Sequence, residues 1–224
     1  MREFRGFSIG IRGAIDSGMT HNSAMDYAGN IGRTEGPHTW EEFLDLDDDD
    51  RRELIDGEFV EIEGMPGIEH EYTVAELIYY LKAWVKSRRE GPVLASGYKV
   101  RITNKRGVMP DLQFFMKDNP NRQQSRGLSI GRPDLAVEVI SPGSSNYDRV
   151  KKFNWYADIG VPEYWIVHPI KHTFQQFVLK DGHYVAMASL ADDEVFRSET
   201  FPGLEIPLAE LWLPPDQEDE AGTK

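Results

Sequence analysis

Two acidic residues, Asp111 and Glu138, interrupt short apolar segments of the chain. Asp111 lies in MPDLQFF, residues 109–115, and Glu138 lies in PDLAVEV, residues 133–139. Both segments are typical of buried strands, in which successive side chains point to opposite faces of the sheet. Two neighbouring strands could therefore bring both carboxylates to one point. Paired carboxylates suit a hard divalent cation such as Mg²⁺, with water completing its coordination shell.

Glu138 requires a partner because burying a lone charge in an apolar strand is too costly. It must be paired, protonated or bound to a metal ion. The simpler interpretation is that each acid caps a turn at a strand end or pairs with an arginine such as Arg132. By the same alternation Asp134 falls on the face that carries Glu138, so Asp134 is a candidate supporting residue.

Lys152 is the candidate amine for this site. The strand that contains Glu138 leads through GSSNYD, residues 143–148, into a predicted helix that contains Lys151 and Lys152. A lysine on a helix that packs against its preceding strand could orient a water molecule or stabilise a developing negative charge. Lys152 lies four residues before Tyr156 and shares a helical face with it, so it is the stronger candidate. The alternative is a solvated lysine on an amphipathic helix.

The elements before this region begin with a capping box, in which Thr39 is followed three residues later by Glu42. Asp56-Gly57 between strand-like flanks predicts a hairpin. A long helix is expected over IEHEYTVAELIYYLKAWVKSRR, residues 68–89, ending at Gly91-Pro92. Its apolar stripe is predicted to contain Tyr72, Ala75, Ile78, Leu81 and Val85, and Leu77 and Trp84 widen it.

Strands dominate the rest of the chain. One more helix is expected in NYDRVKKFNWYADIG, residues 146–160, with an apolar stripe of Val150, Phe153, Tyr156 and Ala157 and with Gly160 as its end. The predicted strands are VLASGYKVRI, MPDLQFF, PDLAVEVI, EYWIVH, TFQQFVL and HYVAMASL.

Length and composition indicate one globular domain. The chain has 224 residues, 40% hydrophobic content and five tryptophans. Residues 1–37 and the acidic tail 214–224 are predicted to be disordered, leaving 38–213 as the domain. The lack of cysteine excludes disulfides and thiolate metal sites, and no apolar segment is long enough to span a membrane. We therefore expect a cytoplasmic protein.

Charge is unevenly distributed along the chain. The net charge is −13, yet residues 96–152 contain eleven Lys or Arg against five Asp or Glu. A basic middle segment in an acidic protein indicates a surface for a polyanion such as nucleic acid. Lysines and arginines that protect strand edges and loops explain the same pattern equally well.

A family resemblance extends from Thr39 to Trp212. The segments that carry it are RRELIDGEFVEI, GIEHEYTVAELIYYL, MPDLQFF, PDLAVEVISPGSSNYDRVKKFNWYADIGVPEYWIVHP and FPGLEIPLAELW. In this order they resemble the Uma-two family of restriction endonucleases in the PD-(D/E)XK nuclease superfamily. The resemblance implies an α+β fold with a restriction-endonuclease-like core, in which helices flank a central mixed sheet. An N-terminal hairpin and a C-terminal antiparallel extension complete it.

The resemblance also implies roles for individual residues. Asp111 corresponds to the metal-binding aspartate and Glu138 to the second acid of the motif. The superfamily places a lysine two residues after that acid, where this chain has Ile140, so Lys152 would supply the amine from a migrated position. Glu53 corresponds to an acid from the preceding element.

Two histidines complete the comparison with the family. His70 corresponds to a polar residue near the site. Family members often have an aspartate at the position of His168, which receives no role here.

The resulting hypothesis is a Mg²⁺-dependent endonuclease, with Mn²⁺ as a substitute metal, that hydrolyses DNA. RNA remains an open substrate. A homodimer is compatible, since cutting both strands of a duplex suits twofold symmetry. The alternatives are a nuclease-fold protein that binds nucleic acid or a protein partner without catalysis, and a self-associating structural domain.

Overall fold

The computed structural model describes residues 36–47, 49–61, 66–95, 97–141 and 147–215. The predicted disordered extension, 1–37, and tail, 214–224, lie almost entirely outside these residues. Within them no helix is long and apolar enough to cross a membrane.

In chain order the strands are β1 Arg52–Ile55, β2 Glu58–Glu61, β3 Val93–Ala95, β4 Val100–Thr103, β5 Arg106–Val108, β6 Leu112–Phe114, β7 Leu135–Val139, β8 Glu163–His168, β9 Thr173–Lys180, β10 His183–Ala191, β11 Val195–Arg197 and β12 Glu205–Pro207.

A six-stranded mixed sheet forms the centre of the molecule. Its strand order is β10-β9-β8-β7-β6-β3, and every neighbouring pair is antiparallel except β7 and β8. The parallel pair requires a crossover, which the helical segment between β7 and β8 provides. The predicted mixed sheet is therefore confirmed, and β7 lies in its interior.

A smaller sheet contains the predicted hairpin. Its strand order is β2-β1-β5-β4. Asp56 and Gly57 connect β1 to β2 with φ angles of 52° and 86°, the left-handed pair that a tight hairpin turn requires. The segment VLASGYKVRI, predicted as one strand, forms two strands in different sheets. Gly97, with φ of 99°, lies between them and allows the change of direction.

The sequence signals for the ends of the helices predict only some of the observed ends. α1, Trp40–Leu44, has the predicted capping box between Thr39 and Glu42. α2, Ile68–Arg88, ends at Arg89 in the left-handed conformation, before the predicted Gly91-Pro92. Its buried side chains are His70, Thr73, Leu77, Leu81 and Trp84.

The predicted stripe of α2 was therefore wrong at Ala75. Leu81 is buried as expected, but Ala75 is exposed. Leu77 and Trp84, which were predicted to widen the stripe, are buried with Leu81, because these large side chains reach the core of the main sheet.

The second predicted helix has two parts. Tyr147–Lys152 forms a π-helical turn, and α3, Phe153–Asp158, continues it. Gly160, with φ of 79°, follows the end of α3 as predicted. Val150 is 57% exposed, so its predicted place in the apolar stripe was wrong, whereas Tyr156 is fully buried.

Alternation along β6 and β7 separates two hydrophobic cores. Leu112 and Val137 face the first core together with Leu77 of α2 and the C-terminal β11–β12 pair. Ala136 faces the second core, where Tyr156 of α3 and Val108 of the smaller sheet pack. The sheet is thus covered on both faces, and the predicted α+β architecture with flanking helices and a C-terminal antiparallel extension is confirmed.

Candidate active site

Glu138 lies on the face of β7 that the second core covers. Its neighbours Val137 and Val139 point into the first core, as the alternation predicts. Only 2% of Glu138 is exposed. Its Oε2 atom accepts a 3.1 Å hydrogen bond from Nζ of Lys152, and its Oε1 atom accepts a 2.7 Å bond from the hydroxyl of Tyr156.

Lys152 joins two carboxylates from distant parts of the chain. Its Nζ atom lies 3.1 Å from Oε2 of Glu138 and 3.1 Å from Oε1 of Glu53. Glu53 is in β1, and its Oε1 atom also accepts a 2.8 Å bond from the backbone N–H of Met109. All three side chains are almost fully buried. The charge of Glu138 is therefore tolerated in an apolar strand because it is paired and hydrogen-bonded.

Tyr156 keeps its proton under ordinary conditions. Burial, followed by the negative charge of Glu138, raises the pKa of Tyr156 well above its ordinary value. The hydroxyl group therefore donates to Glu138 and does not compete with it as an anion. Sequence reasoning placed Tyr156 on the face of Lys152 but gave it no role, although the four-residue spacing between them was the available signal.

Asp111 directly precedes β6 and lies beside the end of β7. Its Oδ2 atom accepts a 2.7 Å hydrogen bond from the backbone N–H of Val139, the residue after Glu138. Nε2 of His70, on α2, lies 3.4 Å from Oδ1 of Asp111. The side chain of Asp111 is 16% exposed and those of His70 and Lys152 only 6% and 4%, so Asp111 forms the more accessible side of the group.

Asp134 lies at the opposite end of β7. Glu138 is four residue steps further along the extended strand, which corresponds to about 13 Å. Its Oδ2 atom accepts hydrogen bonds of 2.7 Å from the N–H of Met116 and 2.8 Å from Nδ2 of Asn119. The turn-capping alternative therefore describes Asp134, which the structure does not bring to the group around Lys152.

The sequence predicts that this group of side chains holds a metal ion. In the described residues there is no group of three or more His, Cys, Asp or Glu that could hold a metal ion. Mg²⁺ is nevertheless bound in many proteins by one or two carboxylates and several water molecules. Asp111 and Glu138 are the two carboxylates that the sequence assigns to a metal ion, and Asp111 is linked to the end of β7 through the N–H of Val139.

The model of the Uma2 family, described as "Putative restriction endonuclease", matches residues 40–209. A crystal structure from Anabaena variabilis ATCC 29413, titled as a putative nuclease belonging to DUF820, is 19% identical and has a TM-score of 0.64. The match covers 79% of this chain and 98% of that chain. No curated protein matches.

Proposed function

Because the chain belongs to the Uma2 family of restriction-endonuclease-like proteins, we propose that it is a metal-dependent endonuclease that hydrolyses phosphodiester bonds of DNA. The observation that carries this proposal is the placement of Lys152. Its ammonium group lies within 3.1 Å of both Glu53 and Glu138. The PD-(D/E)XK motif places an acid and an amine two residues apart on one strand, and here the amine comes from the following helix.

Asp111 and Glu138 are the residues that would hold Mg²⁺, or Mn²⁺ in its place. When bound, such an ion polarises the scissile phosphate and lowers the pKa of an attacking water molecule. Asp111 suits this role because it is the more accessible carboxylate of the group. Nε2 of His70 lies 3.4 Å from the Asp111 carboxylate on the α2 side, and the N–H of Val139 donates to its other oxygen. Both contacts reduce the conformational freedom that binding would otherwise remove.

Lys152 and Tyr156 orient Glu138 from the opposite side. Lys152 donates to two carboxylates, so it offers a fixed positive charge and not a free amine. A charge held in this position stabilises the negative charge that develops on a phosphate during hydrolysis. Glu53 positions Lys152, since its Oε1 atom is itself fixed by Met109.

The approach of DNA would follow the basic residues of the smaller sheet. Arg106 of β5 lies over the ring of Trp155 at 5.3 Å and also pairs with Asp56, while Arg101 and Lys105 lie in the same hairpin. Contacts between such basic side chains and DNA phosphates dominate the affinity for DNA and make that affinity dependent on salt. RNA offers the same phosphates, so the choice of DNA rests on the family description.

The test is cleavage of supercoiled plasmid by the purified full-length chain. Nicked and linear products should form in the presence of Mg²⁺ or Mn²⁺ and be absent with EDTA. Glu138→Gln should nick plasmid at least about 100-fold more slowly, whereas Glu205→Gln, at an exposed position of β12, should cleave like the wild type. A nicking rate in Glu138→Gln within about tenfold of the wild type would refute the proposal. Cleavage of both strands would also suit a homodimer, which sedimentation analysis measures directly.

One observation favours a second function, nucleic-acid binding without cleavage. The ammonium group of Lys152 already neutralises much of the charge of Glu53 and Glu138, which reduces the attraction of the group for a cation. Retained binding of DNA at low salt, with no product under any metal condition, would support this alternative.

A further inference from the structure

A cleft lies on the same face of the main sheet as the candidate active site, at the other end of β7. Its volume is about 760 Å³, within the range of small-molecule sites. It is lined by Arg101 and Ile102 of β4, by Ile159 after α3, and by the β6–β7 loop from Met116 to Asp134. We propose that this cleft binds one nucleotide of the substrate strand, with the phosphate at Arg101 and Arg132 and the base against the apolar wall. This inference rests on the proposed function.

The two arginines supply the phosphate contacts. In the part of the chain that the structure describes, neither guanidinium group pairs with a carboxylate, whereas Arg52, Arg106, Arg126 and Arg197 each do. Arg101 donates instead to the amide oxygen of Asn104 at 3.3 Å. An arginine fork matches the geometry of phosphate oxygens better than a lysine does.

The surroundings of Arg132 hold its backbone and leave space for its side chain. A side chain at Gly160 would begin 3.2 Å from Nε of Arg132, so the absence of a side chain there leaves room for the guanidinium group. The carbonyl oxygen of Arg132 accepts a 3.0 Å hydrogen bond from Nδ2 of Asn119. Preorganisation of this kind reduces the entropy lost when a ligand binds.

The loop that forms the cleft is held by its own hydrogen bonds. Asn119 donates to Asp134 and accepts a 2.9 Å bond from the N–H of Asn121. Gln124 donates to the carbonyl of Ile130 at 2.7 Å and accepts from the N–H of Ser129 at 3.0 Å. The loop thus presents a fixed surface to a ligand, although it has no regular secondary structure.

The remaining lining residues suit a base better than a second phosphate. Ile102, Met116 and Ile159 provide apolar contacts, and Asp118 and Asn121 provide polar side chains at the rim. A nucleobase has apolar faces and hydrogen-bonding edges, so it uses both kinds of residue. The distance along β7 between Asp134 and Glu138, about 13 Å, equals about four steps of the 3.4 Å rise per nucleotide in B-form DNA.

The experiment measures binding of fluorescein-labelled hexathymidylate by fluorescence anisotropy, in EDTA and at low salt. Arg101→Ala and Arg132→Ala should each weaken binding about tenfold and lower the salt slope by about 0.7, the value for one phosphate contact to a single strand. The matched control is Arg197→Ala, which removes an exposed arginine on β11 and should bind like the wild type. Circular dichroism and thermal melting would verify that each variant is folded.

Two further binding measurements test whether the cleft recognises a nucleotide. A hexamer without bases should bind about tenfold more weakly than hexathymidylate to the wild type, and thymidine monophosphate should displace hexathymidylate at lower concentration than inorganic phosphate does. Equal binding of the two hexamers, or unchanged affinity in both arginine variants, would overturn the inference.

Failure of this inference can be told apart from failure of the proposed function. Binding is measured without metal, so an arginine-dependent affinity in a protein that never cleaves DNA would support the cleft and refute only the nuclease activity. Conversely, cleavage that is metal-dependent but unaffected by either arginine variant would leave the nuclease proposal standing and remove the cleft from it.

Discussion

The hydroxyl group of Tyr156 donates a 2.7 Å hydrogen bond to Oε1 of Glu138, and both side chains are buried. Lys152, one helical turn earlier, donates to the other oxygen of the same carboxylate at 3.1 Å. One short helical segment therefore fixes both oxygens of an acid on a neighbouring strand. The helical crossover between β7 and β8 therefore determines how the Glu138 carboxylate is oriented.

Tyr156→Phe should destabilise the protein because it removes a hydrogen bond to a charged, buried group. The expected loss is about 1.5–3 kcal/mol in the free energy of unfolding, measured by urea denaturation. Tyr184→Phe is the matched control, since the Tyr184 hydroxyl donates at 2.9 Å to the neutral carbonyl of Val161. Its loss should be smaller, about 0.5–1.5 kcal/mol. Equal losses of stability in the two variants would contradict a stronger hydrogen bond from Tyr156 to the charged Glu138.

Lys152→Met should be strongly destabilising, because it leaves the carboxylates of Glu53 and Glu138 buried without their shared cation. Removing one partner of a buried ion pair costs about 3–5 kcal/mol, which urea denaturation would detect. Lys151→Met, one residue away and only partly buried, should change stability by less than about 1 kcal/mol. A loss in Lys152→Met no greater than in Lys151→Met would show that the pairing is not a stabilising feature.

The same substitution should separate metal binding from catalysis. Lys152→Met removes a positive charge from the group, so Mn²⁺ should bind at least as tightly as to the wild type, as measured by calorimetry. Cleavage should nevertheless be lost, because the charge that stabilises the reacting phosphate is gone. Asp111→Asn should weaken Mn²⁺ binding instead. Weaker binding in both variants would contradict the distinct roles.

Cleavage should depend on both proposed metal ligands. Asp111→Asn and Glu138→Gln preserve side-chain volume, and each should lower the rate of plasmid nicking by at least about 100-fold. Asp111→Asn retains the acceptor oxygen for Val139, so its thermal stability should stay close to that of the wild type. A nicking rate within about tenfold of the wild type in either variant would remove that residue from the site.

Glu163 should make stability decrease as pH rises. Burial raises the pKa of Glu163 above its ordinary value of 4.5, although hydrogen bonds from Thr200, Trp165 and Gln176 oppose the shift. The folded state therefore holds this proton more tightly than the unfolded state. The stabilisation is complete below the ordinary pKa and is lost as pH rises through the pKa of the folded state.

Glu163→Gln tests this pH dependence by replacing the carboxyl group with a neutral amide. The melting temperature of the variant relative to the wild type should increase between about pH 4 and pH 8, as measured by circular dichroism. Glu205→Gln, which alters an exposed acid, should show no such trend. A constant difference between Glu163→Gln and the wild type would contradict the raised pKa.

Several features of the fold could be predicted from short stretches of sequence. The Asp56-Gly57 turn, the Thr39–Glu42 capping box and the alternation around Glu138 were all confirmed. Each depends on backbone geometry within a few residues, so local residue types are sufficient to specify it. The α2 stripe was wrong at Ala75, because several faces of that helix carry apolar residues and packing against the main sheet buried the face of Leu77, Leu81 and Trp84.

The meeting of the site residues was decided only by the tertiary structure. Lys152 contacts Glu53, which is 99 positions earlier in the chain, and His70 reaches Asp111 from a helix on the other face of the sheet. Asp134 shares a face with Glu138 yet lies at the far end of the strand, where it caps a loop. Alternation determines which face a side chain occupies, but strand order and helix packing, which depend on burial across the whole domain, determine which side chains come into contact.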